Sequence, residues 1–445
     1  MLKSLCFFFL FDWYFISFYL FIGFLILLGD TNVYNRFFFF LDNLRLIIIW
    51  LRIWVFLLSR IQIVKFNLYK VNFNILIRLN IFLLFKLFLV FCLKSLIWFY
   101  FTFERRFLPV FYIIIGWGRI IDRIVSGLYL FFYTVLGSLP LFFSLILNYS
   151  WGYTDFFLLE LNYEYNFILF FFFILVFLVK FPIYGLHLWL LKAHVEAPVW
   201  SSIILSGVLL KLGGFGLVRF FFLWEGISLR KDFLFFFSLW GGLFISYICL
   251  VSRDIKLRIA CSSVVHIRFC ISCLIIINSF RVKGGLILMV GHGLCSSCIF
   301  FLCNIFYIMF NSRSLIIRKG ILNISPLFRM IWFLICRANI SCPPTINLLG
   351  ELVIVRRLLR WRSRILFLLI ILIFLSACYR LYLFYIYSYN FYIKNINYIE
   401  NNVMFLLVRL LHWLPLNFFI LFIFIYYYFV NYNTFTGYLN ILYII

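Results

Sequence analysis

Acidic residues, methionine and long polar stretches are scarce in this 445-residue chain. It contains 14 Asp and Glu and 5 Met, and charged residues of both signs make up 12% of the sequence, against about 25% in an average soluble domain. No polar segment is long enough to form a soluble domain between the apolar runs. The composition therefore excludes a soluble globular protein.

Apolar residues dominate the chain instead. Hydrophobic residues account for 67% and aromatic residues for 24% of the sequence, and the mean hydropathy is +1.13. Runs of about 20 apolar residues, each long enough to cross a bilayer as a helix, recur along the chain. We predict an all-α polytopic membrane protein of about 13 (13–14) transmembrane helices. The predicted spans are 5–28, 37–58, 75–93, 94–118, 127–148, 166–197, 199–221, 234–252, 256–278, 282–308, 326–360, 364–387 and 404–430.

The 12 cysteines lie scattered through the apolar runs and lack the spacing of a secreted disulfide framework. "CISC" at 270–273 and "CSSC" at 295–298 resemble redox or zinc motifs, but neither has a second pair at ligand spacing. We therefore expect cysteines that pack as small hydrophobes, with no metal or cofactor bound by this chain. The net charge of +25 does not indicate nucleic-acid binding, because many of the charges lie inside hydrophobic runs.

Two predicted spans contain helix breakers. Pro182 and Gly185 interrupt the span 166–197, which ends just before Pro198, and the pair Pro343–Pro344 interrupts the span 326–360. Proline lacks a backbone donor and clashes with the preceding turn, so both helices should break inside the membrane. Such breaks are tolerated where they line a cavity. Two of them in comparable positions predict an inverted-repeat transporter with a site at the midplane. The predicted segments are N-terminal transmembrane helices 1–93, a first antiporter-like half 94–222, a second half 234–360 and C-terminal transmembrane helices 361–445.

Ionisable side chains inside apolar spans are candidates for function, because each costs about 2.5–3.5 kcal/mol to insert. They are Glu104, Lys180, Lys211, His266, His292 and Glu351. Each lies in a different predicted span, and lysine, histidine and glutamate can exchange protons, so we predict a proton relay. Alternatives without a transport role stay open: an interfacial carboxylate, lysines that snorkel to the membrane surface, and histidines that only pack. His187 and His194 are expected to be structural or to lie at a channel mouth.

Several motifs carry a family resemblance. "LFFYTVLGSLPLF", "KFPIYGLHLWLLKAHVEAPVWSSIILSGVLLKLGGFGLVR", "DIKLRIACSSVVH", "GHGLCSSCIFFL" and "PPTINLLGEL" occur in this order within about residues 95–355. Together they resemble the chain 4 family of mitochondrial NADH:ubiquinone oxidoreductase, the antiporter-like proton-pumping subunits of respiratory complex I. Outside this core only the pattern of spans is similar.

The resemblance implies roles for the six ionisable residues. Glu104 would pair with Lys180 of the first broken helix. Lys211 would continue a central polar axis through the two histidines to the glutamate of the second broken helix. The implied proton relay is Glu104, Lys180, Lys211, His266, His292 and Glu351.

The resemblance also implies a setting. The protein would be a multi-pass subunit of a proton-translocating NADH:ubiquinone reductase in the mitochondrial inner membrane, without redox chemistry of its own. NADH, FMN, iron–sulfur clusters and ubiquinone would be bound by other subunits. Its partners would be other membrane-arm subunits of complex I, the lipid bilayer and protons, with no nucleic acid. Two alternatives are a stand-alone cation/proton antiporter and a purely structural bundle.

Arginine is unexpectedly frequent in the apolar spans. Arg356, Arg357, Arg360, Arg362 and Arg364 follow Glu351, and Arg105, Arg106, Arg268 and Arg337 lie in other spans. Five inserted arginines would cost on the order of 12–17 kcal/mol. Ile267 meanwhile stands where the family often has methionine. One cause would explain both departures: AGA and AGG codons that mean serine and ATA codons that mean methionine, as in many invertebrate mitochondria. The alternative is a truly basic subunit.

Overall fold

The computed structural model describes residues 43–67, 73–93, 95–118, 122–150, 167–220, 228–275, 279–310, 312–315, 320, 326–388 and 403–421. The predicted span 5–28 lies outside these ranges. Regular structure in the described residues is helical, apart from isolated bridge residues at Leu93 and Ser95 and an antiparallel bridge between Asp254 and Ser314. The helices are α1 (Asn43–Asn67), α2 (Phe73–Cys92), α3 (Leu96–Arg105), α4 (Phe107–Trp117), α5 (Arg123–Ser150), α6 (Phe167–Lys180), α7 (Leu188–Glu196), α8 (Val199–Ile204), a π-helical turn (Leu205–Leu209), α9 (Leu210–Arg219), α10 (Ser228–Val251), α11 (Ile255–Ile275), α12 (Ser279–Phe310), α13 (Pro326–Asn339), α14 (Ile346–Trp361), a 3-10 turn (Ser363–Ile365), α15 (Leu366–Ser388) and α16 (Val403–Leu421).

Seven helices in the described part of the chain are long and apolar enough to cross a membrane, judged by length and composition. The all-helical, membrane-spanning class is confirmed, whereas the predicted number of about 13 spans is not. Part of the difference is physical, because broken spans appear as two short helices that each fall below the length of a full crossing. The predicted four-segment division stays a prediction.

The helices form a central group and an outer group. In the span windows of Val199–Arg219, α11 and α12, between 94% and 100% of the residues are buried inside the protein. In those of α2, α5, α10 and α15 the buried share is 33% to 44%. The outer helices expose large apolar side chains such as Phe132 and Phe374, which suit a lipid environment. Polar groups on the central helices are therefore shielded from lipid.

The first predicted break is confirmed. Helix α6 ends at Lys180, two residues before Pro182, and α7 begins only at Leu188. Gly185 adopts φ +84°, a left-handed conformation that glycine reaches without strain. The indole Nε1 of Trp189 donates to the carbonyl of Val179 at 3.0 Å. A side chain from the second half-helix thus satisfies a carbonyl near the end of the first.

The second predicted break is confirmed as well. Helix α13 ends at Asn339, α14 begins at Ile346, and Pro343–Pro344 lie between them. The amide of Asn347 donates to the carbonyl of Ala338 at 3.0 Å. As in the first break, a side chain from the half-helix after the break satisfies a carbonyl of the half-helix before it. The two breaks are therefore alike in construction as well as in sequence position.

Of the five arginines after Glu351, four are exposed and Arg357 is partly buried. They occupy the last two turns of α14 and the short connection to α15. At 1.5 Å per residue, Arg356 lies about 15 Å along α14 from the second break, which is about half the thickness of the hydrocarbon core. Arg362 is exposed and forms an ion pair with Asp232. If the second break lies at the midplane, as the sequence predicts, the end of α14 lies near the membrane surface. The recoding of these five positions stays a prediction.

Candidate functional site

Glu104 and Lys180 form an ion pair between α3 and the first broken helix. Lys180 Nζ donates to Glu104 Oε1. The lysine side chain is 6% exposed and the glutamate 19%. Lys180 Nζ also lies 3.8 Å from the centroid of the Phe103 ring, a cation–π contact. Lys180 is the last residue of α6, so the negative end of the helix dipole also favours its ammonium.

Helix α9 packs directly on the first break. A Cβ added at Gly213 would lie 2.7 Å from the backbone nitrogen of Phe181 and 3.0 Å from the carbonyl carbon of Lys180. No residue with a side chain fits here without displacing the backbone. Glycine at this position therefore brings α9, with Lys211 one half-turn earlier, against the end of α6 that carries Lys180.

Lys211 is fixed by an irregular turn in its own helix. Residues Leu205–Leu209 form a π-helical turn, in which backbone bonds span five residues and a carbonyl can be left for another donor. Lys211 Nζ donates to the Ser206 carbonyl at 2.5 Å, and it lies 3.1 Å from His292 Nδ1. The lysine is 1% exposed. Its ammonium is thus held at hydrogen-bonding distance from a group that can take a proton.

The two relay histidines are neighbours in the protein interior. The ring centroids of His266 and His292 are 5.2 Å apart, and both side chains are buried. A Cβ added at Gly293 would lie 3.3 Å from Lys211 Cε and 3.1 Å from the Gly207 carbonyl oxygen. The small residue next to His292 therefore leaves room for the lysine beside that ring.

Glu351 completes the row from the second broken helix. Its Oε1 lies 3.4 Å from His266 Nδ1, longer than a strong hydrogen bond but within ion-pair distance. The other ring nitrogen, Nε2, lies 3.2 Å from Asn339 Oδ1 and also contacts the guanidinium of Arg380. A neutral ring nitrogen donates or accepts, so Nε2 cannot satisfy both neighbours at once.

The structure thus brings all six predicted residues into two groups. One group is the pair Glu104–Lys180, and the other is a contiguous row of four residues. That row runs Lys211, His292, His266, Glu351. Among the described residues no hydrogen bond joins Lys180 to Lys211, although the Gly213 contact brings their helices together. The snorkelling alternatives for the lysines are excluded, because both are buried inside the protein.

Sequence reasoning missed two features of the site. Asn339, at the end of α13, touches His266, and a polar residue just before a proline pair was an available signal. The π-helical turn that frees the Ser206 carbonyl has no comparable signature in the sequence. His194 is fully buried and stacks on Phe300 at a centroid distance of 4.8 Å, so a position at a channel mouth is excluded for it.

The two cysteine motifs lie within α11 and α12. Cys270 Sγ donates to the Gly285 carbonyl at 3.4 Å, and Cys295 Sγ to the Ile335 carbonyl at 3.8 Å. In the ranges that the structure describes, no three His, Cys, Asp or Glu side chains converge as a metal site. These thiols act as weak donors to neighbouring helices.

A helical membrane bundle with two broken helices and a row of buried lysine, histidine and glutamate defines an antiporter-like membrane protein. The family model described as "NADH:quinone oxidoreductase/Mrp antiporter, TM" matches residues 94–376. NADH-ubiquinone oxidoreductase chain 4 of Aedes aegypti is 41% identical over 72% of each chain. The protein of the same name from Ceratitis capitata is 40% identical over 80% of each chain. The chain belongs to the NADH-ubiquinone oxidoreductase chain 4 family.

A solved structure has the same fold. A chain of respiratory complex I from Thermus thermophilus with bound NADH superposes with a TM-score of 0.80, covering 88% of this chain and 84% of that one at 19% identity. At this identity the likeness defines the fold alone. It supports the antiporter-like architecture that the two breaks indicate.

Proposed function

We propose that this chain is a proton-translocating membrane-arm subunit of respiratory complex I, located in the mitochondrial inner membrane. The name shared by its relatives supports the assignment to the complex. The observation that carries the transport role is the contiguous row from Lys211 to Glu351, buried inside the bundle. Structural proteins have no reason to keep such groups, because each costs free energy to insert.

The row provides donors and acceptors in sequence. Protonated Lys211 donates from Nζ to His292 Nδ1 while the Ser206 carbonyl holds the amine in place. A proton on His292 is passed to the adjacent ring of His266 and from its Nδ1 to Glu351 Oε1. Each group carries the proton only transiently, because a buried uncompensated charge is costly at every position. Coupling to the rest of the complex would shift which position is occupied.

The Glu104–Lys180 pair would control entry to this row. While Glu104 is ionised, Lys180 holds its proton in the ion pair. Neutralising Glu104 removes the counter-charge, and the buried ammonium of Lys180 then loses its stabilisation and releases a proton towards Lys211. A water molecule would have to bridge the two lysines. The pair thus acts as a switch whose state depends on one carboxylate.

Redox chemistry would belong to the partners of this chain. NADH, FMN, iron–sulfur clusters and ubiquinone would be bound by other subunits of the complex, and this subunit would receive the free energy of their reaction through protein contacts. The enzyme activity is that of the assembled NADH:ubiquinone reductase, and the share of this chain is proton transport across the bilayer.

A ratio measured in the assembled complex tests this proposal. The complex carrying Glu351→Gln is reconstituted in vesicles, and proton uptake is measured per NADH oxidised. Glutamine keeps the shape but cannot carry the proton, so the ratio should fall while the subunit composition is unchanged. The matched control is Asp232→Asn, which removes a carboxylate at the exposed ion pair with Arg362 and should leave the ratio unchanged.

Two results would overturn the proposal. A wild-type ratio in Glu351→Gln would remove the row from proton transport. Cation-driven proton transport by the isolated chain, without any flavin- or iron–sulfur-containing partner in the native preparation, would favour a stand-alone antiporter instead.

A further inference from the structure

Within the residues that the structure describes, Arg52 and Arg268 lie deep in the protein without a hydrogen-bond partner for their guanidinium groups. Arg52, near the middle of α1, has 0% exposure, and none of its three side-chain nitrogens makes a hydrogen bond. Its guanidinium carbon is 5.6 Å from the centroids of the Phe88 and Phe91 rings. These aromatic contacts compensate for only a small part of a buried charge.

Arg268, in α11, repeats the pattern. It is also 0% exposed, and all three of its nitrogens lack a hydrogen-bond partner. Its guanidinium carbon lies 5.3 Å from the centroid of the Tyr184 ring. Helix α11 is one of the most buried spans, so the side chain has no path along which to snorkel to a membrane surface.

A guanidinium cannot occupy such a site at tolerable cost. Arginine stays protonated in proteins, so the charge cannot be removed by losing a proton. An ion buried without a partner is strongly unfavourable, and its donors are left without acceptors. Arg313 shows the contrast: its Nη1 lies 3.2 Å from the Glu196 carboxylate. Positions 52 and 268 offer nothing comparable.

The same helices show which side chain would fit. Ser59 in α1 donates to the Phe56 carbonyl at 2.8 Å, and Ser272 in α11 donates to the Phe269 carbonyl at 2.8 Å. Ser272 lies one turn after position 268 on the same helix. A hydroxyl satisfies itself on its own backbone in this way and leaves no charge behind. Serine at positions 52 and 268 would therefore be neutral, small and fully satisfied.

We infer that the native protein carries serine at positions 52 and 268, because AGA or AGG codons of its gene are decoded as serine. Many invertebrate mitochondria use this code, and relatives of the chain include insect proteins. Many of them also read ATA as methionine, which fits the 5 methionines in 445 residues. The inference rests on the two buried sites and not on the exposed arginines that follow Glu351.

Decoding as serine would also change position 380, which lies beside the candidate relay. Arg380 contacts His266 Nε2 and donates to Tyr379 Oη at 3.3 Å. Its charge also acts on the nearby carboxylate of Glu351. A permanent cation there would repel a proton from the ring that has to carry it. Serine at position 380 would remove that obstacle and leave Asn339 as the polar neighbour of Nε2. This consequence rests on the proposed function, whereas the identity of residues 52 and 268 does not.

Peptide mass spectrometry of the native protein, purified in its complex, tests the inference. A limited chymotryptic digest, in which only some Trp, Phe and Leu sites are cut, gives overlapping peptides within 46–58 and 257–275, whose fragment ions identify residues 52 and 268 directly. Serine masses at both positions are expected, and arginine at either position would overturn the inference. A parallel tryptic digest supplies a second readout: cleavage should occur after Arg313, the ion-paired control, and not after position 52 or 268. Cleavage at those two positions would contradict the inference independently of the mass assignment.

Discussion

Replacing Lys180 is the sharpest test of the switch. Lys180→Ala leaves the Glu104 carboxylate without its counter-charge while 19% of that side chain remains exposed. Breaking a buried ion pair costs about 3–5 kcal/mol, and the residual exposure places this site near the lower end. The complex should lose about that much stability. Proton uptake per NADH oxidised should also fall, because Glu104 no longer has the lysine with which it exchanges a proton.

Lys180→Arg separates charge from proton exchange. Arginine keeps the positive partner for Glu104, so the complex should assemble as well as the wild type. It does not release its proton at any accessible pH, so proton uptake per NADH oxidised should fall as far as in Lys180→Ala. Assembly is followed by native electrophoresis, and pumping by a pH-sensitive dye in reconstituted vesicles.

A second lysine serves as the control for a general effect of lost positive charge. Lys86 in α2 is partly exposed and lies 5.1 Å from the centroid of the Phe82 ring. Lys86→Ala should leave the pumping ratio unchanged. The reasoning about Lys180 is refuted if Lys180→Arg pumps at the wild-type ratio, because proton release from that side chain would then be unnecessary.

Three further predictions concern the relay, the first break and a separate ion pair. Lys211→Met should abolish pumping with assembly intact, measured as the same ratio, and normal pumping would remove this lysine from the row. Gly213→Val should lower the melting temperature of the complex, because the added side chain overpacks the first break at a cost of about 1–3 kcal/mol. Gly116→Val is the control and should not lower it, since the space around its Cβ site is open. Equal effects of the two variants would contradict the packing argument. Arg313→Gln should destabilise the complex by about 3 kcal/mol by stranding Glu196, and Glu196→Gln in the same chain should restore most of the loss; an unchanged melting temperature in the single variant would show that the pair is not structural.

The sequence predicts the breaks and the site residues well because both depend on local chemistry. Prolines at 182 and at 343–344 remove a backbone donor and clash with the preceding turn, so the residues themselves indicate both breaks. Pro140 and Pro415 lie inside α5 and α16, so proline alone does not decide where a helix ends. Ionisable side chains in apolar runs are equally visible. The pairing of these side chains is harder to predict. Glu104 and Lys180 are far apart in sequence, and their pairing was predicted from the family resemblance and not from spacing.

Other features depend on three-dimensional context that a sequence does not display. Glycine-rich segments indicate close helix packing, but only the structure identifies the backbone that Gly213 meets. Hydropathy also treats a broken span as continuous, so it does not show that the arginines after Glu351 lie at the end of a separate half-helix, α14. Burial distinguishes these arginines from two others. Arg362 is exposed and pairs with a carboxylate, whereas Arg52 and Arg268, which are less conspicuous in the sequence, are buried at a high cost in free energy.

The two breaks place opposite charges at helix ends that suit them. Lys180 is the last residue of α6, where the dipole presents its negative end, and Glu351 lies in the second turn of α14, nearer the positive end. Such placement is worth about 0.3–1 kcal/mol, and up to about 2 kcal/mol in partly buried geometries, with the smaller share for Glu351 because the effect falls off after the first turn. Lys211, His292 and His266 lie inside the helical segments Val199–Arg219, α12 and α11, not at the ends of those segments. The breaks therefore stabilise charge at the two ends and leave the groups between them free to exchange protons, which is the distribution that directional transfer along the row requires.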